Sequence, residues 1–183
     1  MAYRSGTYVA FHANGQTEPT ESDIKYYNLL KAWRANPDYQ FRFVDSHEKT
    51  GAIRDSSSRA TVAQSLRTRL NNSKNMILII GQTTREDKDW VPLEIEHAID
   101  VCEIPIIAAY PGYSAISDPG ALSQLWPGAF AARIAAGRAH VIHIPFAKQP
   151  INSAIVQFSH EAYPLGGGLG IYSYQTYLDW GLA

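Results

Sequence analysis

Short apolar runs alternate along the chain with longer segments of helical periodicity. Continuous apolar runs favour the strands of a parallel sheet, which are buried on both faces. Such runs predict five strands, at residues 7–13, 41–45, 76–80, 104–110 and 139–144. Apolar residues spaced three and four apart predict helices at residues 23–36, 61–70, 90–102, 130–136 and 150–159. The pattern therefore indicates an α/β protein.

Strands separated by single helices imply right-handed crossovers and a doubly wound parallel sheet. With five strands, the favoured arrangement is a flavodoxin-like, three-layer fold with strand order 2-1-3-4-5. Ligands of such folds bind beyond the carboxyl ends of the strands, so the loops after residues 13, 45, 81 and 110 matter most. One domain is expected at residues 1–160. The glycine- and aromatic-rich tail at residues 161–183 is expected to pack on that domain or at an interface.

Composition narrows the function classes. Lys and Arg number 16 against 17 Asp and Glu, so the basic excess typical of nucleic-acid binders is missing. No apolar run is long enough to span a bilayer, and the first residues lack the apolar core of a secretory signal. Cys102 is the only cysteine, which fits a reducing compartment. We therefore expect a cytoplasmic protein that binds neither nucleic acid nor membrane.

A polar loop at residues 82–89 joins the third strand to the helix that begins at Trp90. Glu94 lies one turn into that helix, where a carboxylate can face a ribose or a developing cation. The plainer interpretation is that Glu94 complements the helix dipole at the surface, an effect of about 0.3–1 kcal/mol. Glu96 points nearly the opposite way around the helix and is expected to be solvated.

Further polar residues lie near the predicted carboxyl ends of the strands. The candidates for substrate binding are His12, Asn14, Asp45, Thr83 and Thr84. His12 has an equally good interpretation as a core histidine, and Asp45 as a residue that hydrogen-bonds within its loop. Residues 54–56 either hold a phosphate at a helix N-terminus or cap that helix. His140 and His143 lack a nearby carboxylate ligand set, so no metal site is predicted.

Several segments together resemble a known family. The spacing Trp90-x-x-x-Glu94, after an apolar strand and a polar loop, resembles the tryptophan-to-glutamate element of TIR domains. Residues 9–12, 26–33, 43–47, 54–57 and 80–84 are similar to the TIR-like subunit of bacterial Thoeris anti-phage systems. The resemblance covers about residues 7–110, and the tail beyond residue 161 has no counterpart in it.

The resemblance implies an enzyme that cleaves NAD as its substrate, without a resident cofactor, and it assigns the catalytic role to Glu94. Trp90 is then expected both to anchor the helix and to border the NAD site. The resemblance also implies a phage-derived activator, an effector that receives the nucleotide product, and self-association.

Two other function classes stay open at this point. One is a TIR-like adaptor without enzymatic activity that works by self-association. The other is an N-glycosidase similar to nucleoside deoxyribosyltransferases, which set a glutamate on a similar sheet. Release of nicotinamide from NAD would separate the NAD-cleaving enzyme from both of these alternatives.

Overall fold

The computed structural model describes residues 4–13, 23–37 and 58–183. Within them, one sheet contains five parallel strands in the order β1-β2-β3-β4-β5. The strands are β1 at Gly6–Ala10, β2 at Ser73–Ile79, β3 at Ile106–Tyr110, β4 at Val141–Pro145 and β5 at Gly170–Ile171. The first four correspond to the predicted first, third, fourth and fifth strands, in the predicted order. The predicted strand at residues 41–45 lies outside the described residues.

Helices flank this sheet and connect its strands. They are α1 at Ile24–Ala35, α2 at Arg59–Asn71, α3 at Trp90–Asp100, α4 at Gly128–Ala135, α5 at Lys148–Gln157 and α6 at Tyr174–Asp179. The first five lie within two residues of their predicted bounds, and Ser58 caps α2 by accepting a hydrogen bond from the Thr61 amide. The structure thus confirms the predicted α/β fold. Within the described residues, no helix combines the length and apolarity needed to cross a membrane.

Two apolar clusters sandwich the sheet, because alternate residues of each strand face opposite sides. Tyr8 and Ala10 of β1 face the first cluster, which includes residues of α2, α3 and α4. Val9 and Phe11 face the second cluster, which includes residues of α1 and α5. Each strand from β1 to β4 is therefore nearly or fully buried along its length, as continuous apolar runs predict.

The tail supplies two elements that the sequence analysis missed, β5 and α6. Gly170 begins β5, and a Cβ atom at this position would lie 2.4 Å from the Val141 carbonyl oxygen. Glycine therefore permits the close approach of β5 to β4. Tyr177 of α6 is buried, and its ring and that of Tyr172 pack edge-on against Trp180.

A buried chain of hydrogen bonds ties the tail to the sheet. The Trp126 indole donates to the Tyr110 hydroxyl at 2.8 Å, and that hydroxyl donates to Nδ1 of His143 at 2.8 Å. Nε2 of His143 donates to the Gly168 carbonyl oxygen at 2.9 Å. Because a carbonyl only accepts, Nε2 carries the proton and Nδ1 is the acceptor. Burial lowers the pKa of His143 from 6.5 to about 4.

This pKa predicts a loss of stability in acid. Between pH 6.5 and about 4 the unfolded chain protonates His143 and the folded protein does not. Stability from this group is therefore complete above pH 6.5 and falls by about 1.4 kcal/mol per pH unit across that window. Urea unfolding of the wild type at successive pH values measures the total slope, of which His143 contributes this share.

His143→Gln is the matched variant for that measurement. It should be less stable than the wild type at pH 7, because the hydrogen-bond chain is broken. It should also lose less stability on acidification, because no imidazole titrates at this position. Parallel pH profiles for the two proteins would contradict the assignment of the slope to His143.

Candidate functional site

The candidate site begins where α3 starts, beyond the carboxyl end of β2. The Asp87 carboxylate accepts hydrogen bonds from the amides of Asp89 at 2.8 Å and Trp90 at 3.0 Å. These bonds satisfy amides that a helix start leaves without a partner inside the helix. Pro92 sits in the first turn, where its missing amide proton costs nothing. The turn after β2 thus fixes the start of α3 at Trp90.

Glu94 lies on the buried face of α3, and only 1% of the residue is exposed. The Tyr8 hydroxyl of β1 donates a hydrogen bond to Oε1 of Glu94 at 2.6 Å. Tyr8, Val91 and Ile95 all belong to the first apolar cluster. A carboxylate is costly to bury without hydrogen bonds, so this contact is part of what holds Glu94 in place. Glu94 is therefore not a surface residue whose only role is to complement the helix dipole.

Glu96 occupies the other side of the same helix, as predicted. Its side chain is 54% exposed and lies 3.7 Å from the Arg133 guanidinium. It also lines an open groove of about 580 Å³, which is bordered by residues of α3 and by Arg59 and Arg67 of α2. Glu94 and Glu96 are thus two carboxylates of one helix in opposite environments.

Trp90 is half-buried and packs against the first apolar cluster. The Arg59 guanidinium of α2 lies 5.1 Å from the centre of the indole ring, and Nη1 of Arg59 bonds Asp89 at 2.7 Å. A cation at this distance from an aromatic face is attracted to it. Trp90 therefore anchors the start of α3 to α2.

A second buried carboxylate, Asp23, lies where α1 begins. Its Oδ2 accepts a hydrogen bond from the Thr84 hydroxyl at 2.7 Å, and Oγ1 of Thr84 accepts one from the Gly81 amide at 2.7 Å. Burial raises the pKa of Asp23, and the Thr84 bond and the nearby His12 oppose that rise. This network joins the start of α1 to the turn after β2. Sequence analysis missed Asp23 because an aspartate at a helix start has the ordinary explanation of a cap.

The structure describes the surroundings of His12, Thr83 and Thr84, three of the predicted substrate-binding residues. Thr84 is fully buried, and its hydroxyl donates a hydrogen bond to Asp23. Thr83 is half-buried, and its carbonyl oxygen accepts a hydrogen bond from the Glu86 amide at 2.9 Å. His12 is half-buried beyond β1, close enough to Asp23 to interact with its charge. Asn14 and Asp45, like residues 46–47 and 54–56, lie outside the described residues.

Among the residues that the structure describes, no three His, Cys, Asp or Glu side chains come together as a metal site would need. The arrangement consists instead of a parallel sheet, a polar turn after β2, and a buried glutamate one turn into the following helix. This combination is the one expected of a TIR-like α/β domain.

Comparison with known families agrees with that class. Residues 8–116 match the family described as "Thoeris protein ThsB, TIR-like domain". The match covers more than half of the chain, so the chain belongs to this family of TIR-like proteins from Thoeris anti-phage defence. The matched segment contains Tyr8, Asp23, Thr84, Trp90 and Glu94, and it ends before β4.

The Asp23 network predicts that a side chain at position 81 destabilises the fold. A Cβ atom at Gly81 would lie 1.9 Å from Oδ1 of Asp23, which is far inside van der Waals contact. Gly81→Ala should therefore lower the free energy of unfolding by about 1–3 kcal/mol, the usual cost of overpacking. Chemical denaturation of the purified variant measures the loss.

A double-mutant cycle with Asp23→Ala provides the control. Removing the Asp23 carboxylate also removes the atom that the new methyl group meets. Gly81→Ala should then cost clearly less in the Asp23→Ala background than in the wild type. If Gly81→Ala cost the same free energy of unfolding in the wild type and in Asp23→Ala, contact with the Asp23 carboxylate would not be the reason for glycine at position 81.

Proposed function

We propose that this protein cleaves NAD at the bond between nicotinamide and ribose, and that Glu94 is its catalytic residue. The observation that carries the proposal is the buried Glu94 carboxylate, held by the Tyr8 hydroxyl at 2.6 Å on a TIR-like fold. A glutamate with an orientation fixed in an apolar layer can act on a charge that develops beside it.

Heterolysis of this bond needs electrostatic help more than a proton. The bonding electron pair leaves with nicotinamide, which departs as a neutral molecule, and C1′ of the ribose acquires positive charge. An ionised carboxylate beside C1′ stabilises that charge, and it does so more strongly in an apolar environment than in water. Glu94 supplies this group in the proposal.

The acceptor at C1′ then decides the product. Water gives ADP-ribose, an internal hydroxyl gives a cyclic isomer, and another small nucleophile gives a conjugate. We propose that the product signals to an effector protein. Because Glu94 is only 1% exposed, NAD reaches it only after the groups that cover it move. A low resting activity that rises with a phage-derived activator is consistent with this burial. We also propose that copies of this protein associate with one another as part of this activity.

The first test compares Glu94→Gln with Glu96→Gln. Glutamine keeps the shape of Glu94 and an oxygen for Tyr8, but it removes the charge. Nicotinamide release should fall by about 10²–10⁴-fold in Glu94→Gln and stay near the wild-type rate in Glu96→Gln. Mass spectrometry of NAD incubations, with and without extract from phage-infected cells, measures both nicotinamide and the accompanying product.

Each alternative has a distinct outcome in that experiment. Wild-type turnover in Glu94→Gln would refute the proposed mechanism. Nicotinamide release that is missing under every condition, with self-association intact, would favour an adaptor. Consumption of nucleosides in preference to NAD would favour the deoxyribosyltransferase-like alternative.

The proposal also places NAD near His12, Asn14, Asp45, Thr83, Thr84 and Trp90. His12→Ala should reduce turnover more than it reduces the melting temperature, because His12 is only half-buried. Trp90→Ala should reduce both, because Trp90 also anchors α3. Initial rates measure the loss of turnover, and thermal denaturation measures the loss of stability. If His12→Ala lowered turnover and the melting temperature to the same extent, His12 would be a core residue and not part of the NAD site.

A further inference from the structure

Tyr8 is the residue of β1 whose hydroxyl meets the Glu94 carboxylate, and the sequence analysis assigned it no role. Tyr8 lies opposite Met76 in the parallel pairing of β1 with β2, and only 1% of it is exposed. Its backbone is therefore held by the sheet and its ring by the first apolar cluster. A hydroxyl placed in this way has little freedom to follow a moving partner.

The length and setting of the contact indicate a strong hydrogen bond. The distance of 2.6 Å from the Tyr8 oxygen to Oε1 of Glu94 falls in the range of a hydroxyl that donates to an ionised carboxylate. Low surrounding polarity strengthens such a bond. A donor to the charged form of a carboxyl group also favours that form over the neutral acid.

We propose that Tyr8 is a positioning residue for Glu94. Its hydroxyl fixes the orientation of the carboxylate on α3 from the neighbouring strand and favours the ionised form that faces C1′ of the ribose. This inference rests on the proposed function, because it assigns Tyr8 a part in the reaction of the same site.

The structure also provides a matched control. Tyr110 of β3 is fully buried in the same apolar cluster, and its hydroxyl also makes a hydrogen bond, to His143. Tyr8→Phe and Tyr110→Phe each remove one buried hydroxyl and keep the ring. A merely structural role for Tyr8 predicts that both variants lose stability and that neither changes the activity per folded molecule.

The kinetic test measures both variants under the conditions that give wild-type NAD cleavage. Tyr8→Phe should lower kcat by about 10- to 100-fold, the range found for groups that orient metal ligands. KM should stay nearly constant, because the lost interaction acts on the transition state. The acidic limb of the pH–rate profile should move to higher pH. Tyr110→Phe should change neither kcat nor that limb, and wild-type kinetics in Tyr8→Phe would overturn the proposal.

A second measurement does not depend on NAD cleavage. In protein labelled with ¹³C at the glutamate carboxyl carbons, the signal that disappears in Glu94→Gln belongs to Glu94. Its titration midpoint should move to higher pH in Tyr8→Phe and should not move in Tyr110→Phe. An unchanged midpoint in Tyr8→Phe overturns the role of Tyr8. A shifted midpoint in a protein that never releases nicotinamide supports that role and refutes the proposed function instead.

Discussion

The structure depends on keeping a carboxylate in a layer that is mostly apolar. An unpaired charge would be very costly there, so the fold must bring a donor to Glu94 from elsewhere in the chain. The Tyr8 hydroxyl is such a donor, and it belongs to a strand far from α3 in sequence. This requirement links the register of β1 to the start of α3, because a shift of one residue along β1 would turn Tyr8 to the opposite face of the sheet.

Buried carboxylates occur on both sides of the sheet, near the carboxyl ends of β1 and β2. Glu94 faces the first apolar cluster, and Asp23 begins α1, whose residues pack in the second. The short turn after β2 serves both, since Gly81 and Thr84 hold Asp23 while Asp87 fixes the start of α3. A displacement of this turn would therefore disturb both carboxylates together.

The sequence predicted the fold well because its signals are local. Continuous apolar runs such as residues 76–80 mark strands buried on both faces, and Pro92 and Ser58 mark helix starts. The sequence singled out Glu94 by its place one turn into the helix after a polar loop, but it did not predict that Glu94 is buried on the same face as Val91, Ile95 and Ala98. Its partner Tyr8 could not be predicted, because a strand tyrosine has an ordinary packing explanation. The contact of Asp23 with Thr84 could not be predicted either, because the two residues are 61 positions apart in the sequence. β5 was missed because two residues make too short a pattern.

The Gly-rich tail has a consequence for the outer edge of the sheet. Exposed strand edges invite pairing with other chains and lead to aggregation, and very short edge strands reduce that hazard. In the described part of the chain, β5 covers β4 at Ile142 and His143 and offers only two residues of its own as a new edge. The bond from His143 to Gly168 keeps this cover in place. An internal deletion within residues 166–171 would therefore leave Ile142 and His143 of β4 as an unpaired strand edge.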